Sequence, residues 1–311
     1  MNVLSHIVAP AEVMFAVKTN AYGHGLLEVA ITGLESGATA LAVLEVGAGV
    51  TLRDNGVTAP VFAWLLGDNE DYLHAAEHKV ELGISTLREL EAAANVANIN
   101  GVNNDGANNP IIVHLKIDTG LTRNGSTEEL WPSLCSRAAE LEAQGLITVR
   151  GVWSHLADAS PEDDAEALVR FERALAQARA AGLAPSVTHL GASSAGLRFP
   201  DSRNDYVRFG IAAYGISPFD DQSATDLNVR PVMTVTAPVV GENHDGLIVA
   251  AGYLHGILTG EHSGRYVMIE GQPWHVVSVD ADSMRVQRPN SDSDHSSDLV
   301  DSVGQRSFCL L

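Results

Sequence analysis

Eight short apolar runs alternate with helical patterns between residues 14 and 217, and this alternation constrains the fold more than any other feature. The runs are MFAVK (14–18), ALAVL (40–44), PVFAWL (60–65), VELGIS (80–85), IIVHLKID (111–118), ITVRGVWSH (147–155), SVTHLGAS (186–193) and DYVRFGIAAYGIS (205–217). They are rich in β-branched residues and apolar on both faces, as parallel strands covered on both sides must be. The segments between them carry helix signals. In GLLEVAITGLESG, Leu27, Ile31 and Leu34 share a face, and Gly37 suits the C-terminal cap. Thr86 and Glu89 have capping-box spacing. Ser160 and Pro161 suit an N-cap and first helical position, and Gly182 closes that helix. After residue 193 there is room for about two turns only. Eight strands with helices between them predict a (β/α)8 barrel, with an open doubly wound sheet as the alternative.

Beyond about residue 220 the texture changes. PVMTVTAPVV, GLIVAAGYLHGI, RYVMIEG, PWHVVSVD and SMRVQ alternate and are broken by Gly, Pro and Asp. They predict a small, mostly β domain over 226–311, after a barrel over 1–225. The polar, low-complexity stretch 289–302 reads as a mobile loop. No repeat of solenoid period is present. The chain's 311 residues allow one large domain and a smaller second. A net charge of −20 argues against nucleic-acid and anionic-membrane partners. Two cysteines, Cys135 and Cys309, can build neither a disulfide framework nor a thiolate metal site. With no signal peptide and no membrane-spanning run, the expected compartment is the cytoplasm.

A barrel of this kind carries its chemistry at the carboxyl ends of its strands. Lys18 ends the first run there. Lys116 and Asp118 end the fifth, with Arg123 in the loop that follows. His155 ends the sixth, His189 and Ser193 lie on the seventh, and Arg208 lies on the eighth. Each has a plain reading: a solvated lysine, histidines satisfied by backbone, an aspartate shaping a turn, an arginine in an ion pair. Together they point to an anionic ligand. A lysine in a partly desolvated site beside other cations has a lowered pKa and attacks aldehydes. Schiff-base aldolases and pyridoxal phosphate enzymes both need such a lysine. Ser193 and the backbone of Gly210 and Ile211 suit a phosphate.

AVKTNAYGHG, HLKIDTGLTRNG, GVWSHLADAS and HLGASSAGLRFPDSRNDYVRFGIAAYGISP occur in an order and at separations that resemble the alanine racemases, the fold-type III pyridoxal phosphate enzymes. The likeness spans roughly residues 10–235. It implies a homodimer that interconverts L- and D-alanine with pyridoxal 5'-phosphate, within D-alanine and peptidoglycan-precursor synthesis, and without a metal. Lys18 would hold the cofactor and act as one of two bases. Tyr22, Ser193, Gly210 and Ile211 would hold its phosphate. Arg208 would face the pyridine nitrogen, with His155 against the ring. Lys116 matches a lysine that is often carbamylated, and Arg123 an arginine on the substrate side. An arginine, unlike a carboxylate, leaves the pyridine nitrogen unprotonated and the ring a weaker electron sink, which favours plain Cα proton exchange.

The resemblance breaks in the second domain. The family's second base is a tyrosine from the partner subunit, in a VSYG-like segment that has no counterpart here. A GYADG-like segment survives as Gly252-Tyr253-Leu254-His255-Gly256, and a VSMD-like one as Val277-Ser278-Val279-Asp280, with Val279 in place of methionine. Tyr253 is the leading substitute base, with Tyr266 and His255 behind it. The alternative is a homologue that binds the cofactor with little or no turnover.

Overall fold

The computed structural model describes residues 1–67, 70–99, 110–243, 246–260, 265–288 and 308–310. Contacts divide the chain into two compact units, Met1–Arg230 and Pro231–Leu311. The first holds eight parallel strands: β1 (Glu12–Ala16), β2 (Ala40–Val43), β3 (Val61–Ala63), β4 (Glu81–Ile84), β5 (Ile111–Lys116), β6 (Ile147–Trp153), β7 (Val187–His189) and β8 (Tyr206–Phe209). Their order is β7-β6-β5-β4-β3-β2-β1-β8. The last strand therefore pairs with the first, with Arg208 opposite Met14. The ends of the order, β7 and β8, meet through two backbone bonds, Asp205 N–H to Thr188 O and Arg208 N–H to Gly191 O, each 3.0 Å. This is a near-closed barrel.

Period-two alternation assigns the two faces. Val13, Phe15, Leu41, Val43, Leu82, Ile84, Val113, Leu115, Val207 and Phe209 join the core between strands and helices. Met14, Ala40, Ala42, Phe62, Trp153 and Tyr206 form a separate cluster. The helices begin as their caps dictate. Glu89 N–H donates to Thr86 Oγ1 at 3.2 Å and Thr86 N–H returns to Glu89 Oε2 at 3.1 Å, opening Leu87–Ile99. Ser160 accepts from Asp163 N–H at 3.1 Å ahead of Pro161–Ala180, and Gly182 follows at φ +97°. One face differs from expectation. On Leu26–Glu35 the buried positions are Ala30 and Gly33, while Ile31 is exposed. A Cβ at Gly33 would enter the Phe15 ring, so small residues let this helix approach β1 closely.

The second unit is an antiparallel sheet of order β14-β11-β12-β13-β10-β9, comprising β9 (Val239–Asn243), β10 (Gly246–Val249), β11 (Tyr266–Ile269), β12 (Gln272–Val279), β13 (Met284–Gln287) and β14 (Phe308–Leu310). Leu247, Val249, Val267, Ile269, Trp274, Val276, Met284 and Val286 form its core. Residues 231–238 form no strand, so the first alternating run contributes one only from Val239. The loop expected over 289–302 lies outside the described residues. No described helix is long and apolar enough to cross a membrane.

Candidate functional site

Among the described residues, the loop after β1 holds the longest run of non-glycine residues at positive φ. The strand ends at Ala16, and Lys18 opens a tight turn, Lys18–Tyr22, rather than ending the strand itself. Thr19, Asn20, Ala21 and Tyr22 all have φ between 50° and 55°, a left-handed turn built without glycine. L-residues pay about 1–2 kcal/mol each there. Bonds offset the cost: Ala21 N–H donates to Val17 O at 3.0 Å, Gly23 N–H to Thr19 O at 3.1 Å and Leu26 N–H to Asn20 Oδ1 at 2.8 Å. The turn brings Lys18 Nζ to 5.5 Å from the Tyr22 ring centre and 5.9 Å from that of Trp64. Burial, then the charge of Arg123, lower the Lys18 pKa.

Arg208 enters from β8, fully enclosed. Its Nη1 donates to His189 Nδ1 (2.9 Å) and His189 O (3.0 Å). Its Nη2 donates to Ser154 O (2.7 Å), Leu190 O (2.9 Å) and His155 Nδ1 (3.1 Å). Among the described residues its Nε–H makes no hydrogen bond. Burial, then Arg123, lower its pKa to about 9. His155 lies two residues past the end of β6, not on it. Burial, then Arg208, Arg123, Lys116 and Lys18, push its pKa down to about 3, so its ring is neutral. Lys116 ends β5 with Nζ 4.3 Å from the Trp153 ring centre, and burial, then Arg208 and Arg123, bring its pKa to about 7. Arg123 itself is exposed, yet its charge is felt by Lys18, Lys116, His155 and Arg208 alike. These cations share one mouth.

Beside them is a cradle of donors. Gly210 N–H and Ala212 N–H both donate to Ser193 Oγ, at 3.2 and 3.4 Å. A Cβ at Gly210 would sit 2.6 Å from the Tyr22 hydroxyl. Tyr22 packs on Tyr214 with ring centres 4.7 Å apart, and the Tyr214 hydroxyl donates to Ala16 O at 3.1 Å. Two backbone N–H groups and two hydroxyls thus converge where only glycine fits, a chemistry suited to a phosphate. Ile211 lies between the two donors, and its side chain is exposed.

Other expected positions divide. His189 is not in the mouth: it is wholly buried inside the barrel, because its side chain alternates inward on β7. Asp118 takes its plain role, accepting from Gly120 N–H (3.0 Å) and Thr122 N–H (3.1 Å). In the second unit, Tyr253 opens a short 3-10 turn and is half exposed. Its N–H donates to Asp280 O at 2.9 Å, so the GYLHG and VSVD segments, with Val279 closing β12, lie side by side. Sequence reasoning gave no role to Trp64, Trp153 or Tyr214. Their signal was available, since each falls within or next to a motif already singled out. Among the described residues no cluster of three or more His, Cys, Asp or Glu could hold a metal.

Residues 1–218 match the family described as "Alanine racemase, N-terminal domain". The alanine racemase of Salinispora arenicola is 38% identical over 234 residues, which are 74% of this chain and 60% of that protein. That of Frankia casuarinae is 41% identical over 230 residues, 73% of this chain and 58% of that protein. The chain thus spans about 60% of the length of the curated relatives it matches. The crystal structure of the alanine racemase from D-cycloserine-producing Streptomyces lavendulae superposes with a TM-score of 0.85 at 27% identity, covering 100% of this chain and 83% of that one. That from Streptomyces coelicolor A3(2) gives 0.85 at 29% identity, covering 99% and 84%. With the barrel, the lysine turn and the arginine on the neighbouring strand, these matches place the chain in the alanine racemase family.

Proposed function

We propose that the chain is a pyridoxal 5'-phosphate-dependent amino-acid racemase that interconverts L- and D-alanine as a cytoplasmic homodimer. One observation carries the reading. An amine of lowered pKa, Lys18, and a buried guanidinium, Arg208, flank a donor cradle at one barrel mouth. The cofactor supplies an aldehyde that condenses with amines and a conjugated ring that takes up the electron pair left by a departing Cα proton.

The chain's own residues do the rest. Lys18 would hold the cofactor and would move a proton to and from Cα on one face. Tyr22, Ser193 and the backbone N–H groups of Gly210 and Ile211, with that of Ala212 beside them, would grip the phosphate. Arg208 would offer its remaining donor, Nε–H, to the ring nitrogen and, with a pKa of about 9, would keep its charge at neutral pH rather than protonate that nitrogen. His155, neutral at working pH, keeps water from the ring and adds no charge. Arg123 supplies positive charge for the substrate carboxylate. At about 7, the Lys116 pKa leaves much of its amine neutral and able to take up CO2, matching the carbamylated lysine of the family.

The second face is assigned to Tyr253, exposed on its turn, from the second copy. One observation favours the alternative of a cofactor binder with little turnover: β9 runs almost directly into β10, with Gly246 opposite Asn243, which leaves no length for the family's second-base segment. The test is L-alanine carrying deuterium at Cα. Loss of label with falling optical rotation is expected of the racemase. Loss of label with rotation retained marks one working face only. Retention of both overturns the enzymatic reading.

A further inference from the structure

A file of buried polar side chains crosses the barrel beneath the site, and the reaction just described makes no use of most of it. Arg208 Nη1 donates to His189 Nδ1 at 2.9 Å. His189 Nε2 lies 3.0 Å from His114 Nδ1. His114 Nε2 lies 2.8 Å from Glu81 Oε2, and Glu81 Oε1 pairs with Arg150. Five successive strands contribute one residue each: Glu81 on β4, His114 on β5, Arg150 on β6, His189 on β7 and Arg208 on β8. His114 and His189 are 0% exposed and Glu81 is 3% exposed. The surroundings are built for the file. A Cβ at Gly151 would fall into the His114 ring. Phe62 meets both imidazoles, and Trp153 stacks on His189 at 5.6 Å.

The chemistry allows one arrangement of protons. A guanidinium only donates, so His189 Nδ1 must accept and its proton sits on Nε2. That proton points at His114 Nδ1, which must accept in turn, and the His114 proton sits on Nε2, facing a carboxylate. Protonating either ring would set two donors against each other. Burial, then Arg208, His114 and Arg150, also hold the His189 pKa well below its ordinary value. Arg208 otherwise touches only neutral acceptors, and its charged neighbours Arg123 and Lys116 are cations. Glu81 is therefore the anion linked to Arg208, through two polarised imidazoles.

We propose that Glu81 is a positioning residue for Arg208, acting through His114 and His189, and that this directed relay holds the guanidinium as a donor at the cofactor nitrogen and keeps the site on proton exchange. The proposal rests on the cofactor reading above for its consequence, but not for its geometry. When the relay fails, the proton lost from Cα returns to the cofactor's carbon instead. Alanine plus pyridoxal phosphate then become pyruvate plus pyridoxamine phosphate, with the amino group moved and no other reagent consumed.

Two measurements test it. In the cofactor-free, 15N-histidine-labelled protein, two-bond NMR correlations at neutral pH should show His114 and His189 as Nε2–H tautomers. His114→Gln and His189→Gln assign the signals. An Nδ1–H tautomer or a charged ring at either position overturns the relay without any Glu81 variant. In the reconstituted protein, Glu81→Gln cannot accept from both His114 and Arg150. The ratio of pyruvate formed to Cα deuterium exchanged should rise about tenfold over the parent chain. An unchanged ratio, with unchanged tautomers in that variant, overturns the proposal. Should the parent chain take up no cofactor, the functional reading falls, while the tautomer pattern still decides whether the relay exists.

Discussion

Gly210 shows how little space the cradle leaves. A methyl group there meets the Tyr22 hydroxyl at 2.6 Å, and Tyr22 is held by Tyr214 behind it. Gly210→Ala is expected to weaken cofactor binding about tenfold, read by absorbance titration, and Tyr22→Phe in the same chain to recover part of the loss. Lys116 carries a different signature. Its folded-state pKa, about 7, lies below the 10.5 of the unfolded chain, so between those values the unfolded state binds more protons. Stability of the cofactor-free protein should therefore rise as pH climbs from about 7 to 10.5, fall as pH drops back through that window, and level off below it. In Lys116→Met this rise should be smaller, by thermal melts at stepped pH. The neutral-state methionine should melt higher than the parent chain near pH 7, because a buried cation has gone.

At the scale of elements, the turn after β1 trades stability for position. Thr19 is exposed and β-branched at φ 50°, where glycine is at ease. Thr19→Gly should stabilise the fold by about 1 kcal/mol and slow Cα exchange, because the lysine is held less firmly. The capping box is a simpler case: Thr86→Ala should cost about 1 kcal/mol in denaturant melts, with cofactor binding unchanged. The strands and caps were legible because they depend on local pattern, and all eight barrel runs become strands in the expected order. Close packing was less legible. Leu27, Ile31 and Leu34 gave the stronger hydrophobic pattern, yet Ala30 and Gly33 face β1, because the Phe15 ring needs the room. The site divided the same way. Lys18, Ser193 and Arg208 could be read from motifs at strand ends. The placement of His189 could not, since it depends on which way the strand alternates and on partners as distant in sequence as Glu81 and His114.

For the whole molecule, the balance of charge opposes itself. A net −20 spread over the chain repels, while the one barrel mouth gathers Lys18, Lys116, Arg123 and Arg208. Added salt should raise the melting temperature by screening the acidic surface, and should weaken the capture of the anionic cofactor at that mouth, seen as a weaker apparent affinity in absorbance titration. The two residues that matter most stand on the turn after β1 and on β8, and these first and last strands of the barrel lie side by side with Arg208 opposite Met14. A chain emerging from its N-terminus therefore owns a lysine but no pocket until some two hundred residues have followed. A ligand bonded to one strand and gripped by the other fastens both ends of the barrel like a buckle. Its colour would then report, during refolding, the moment at which the ring of strands shuts.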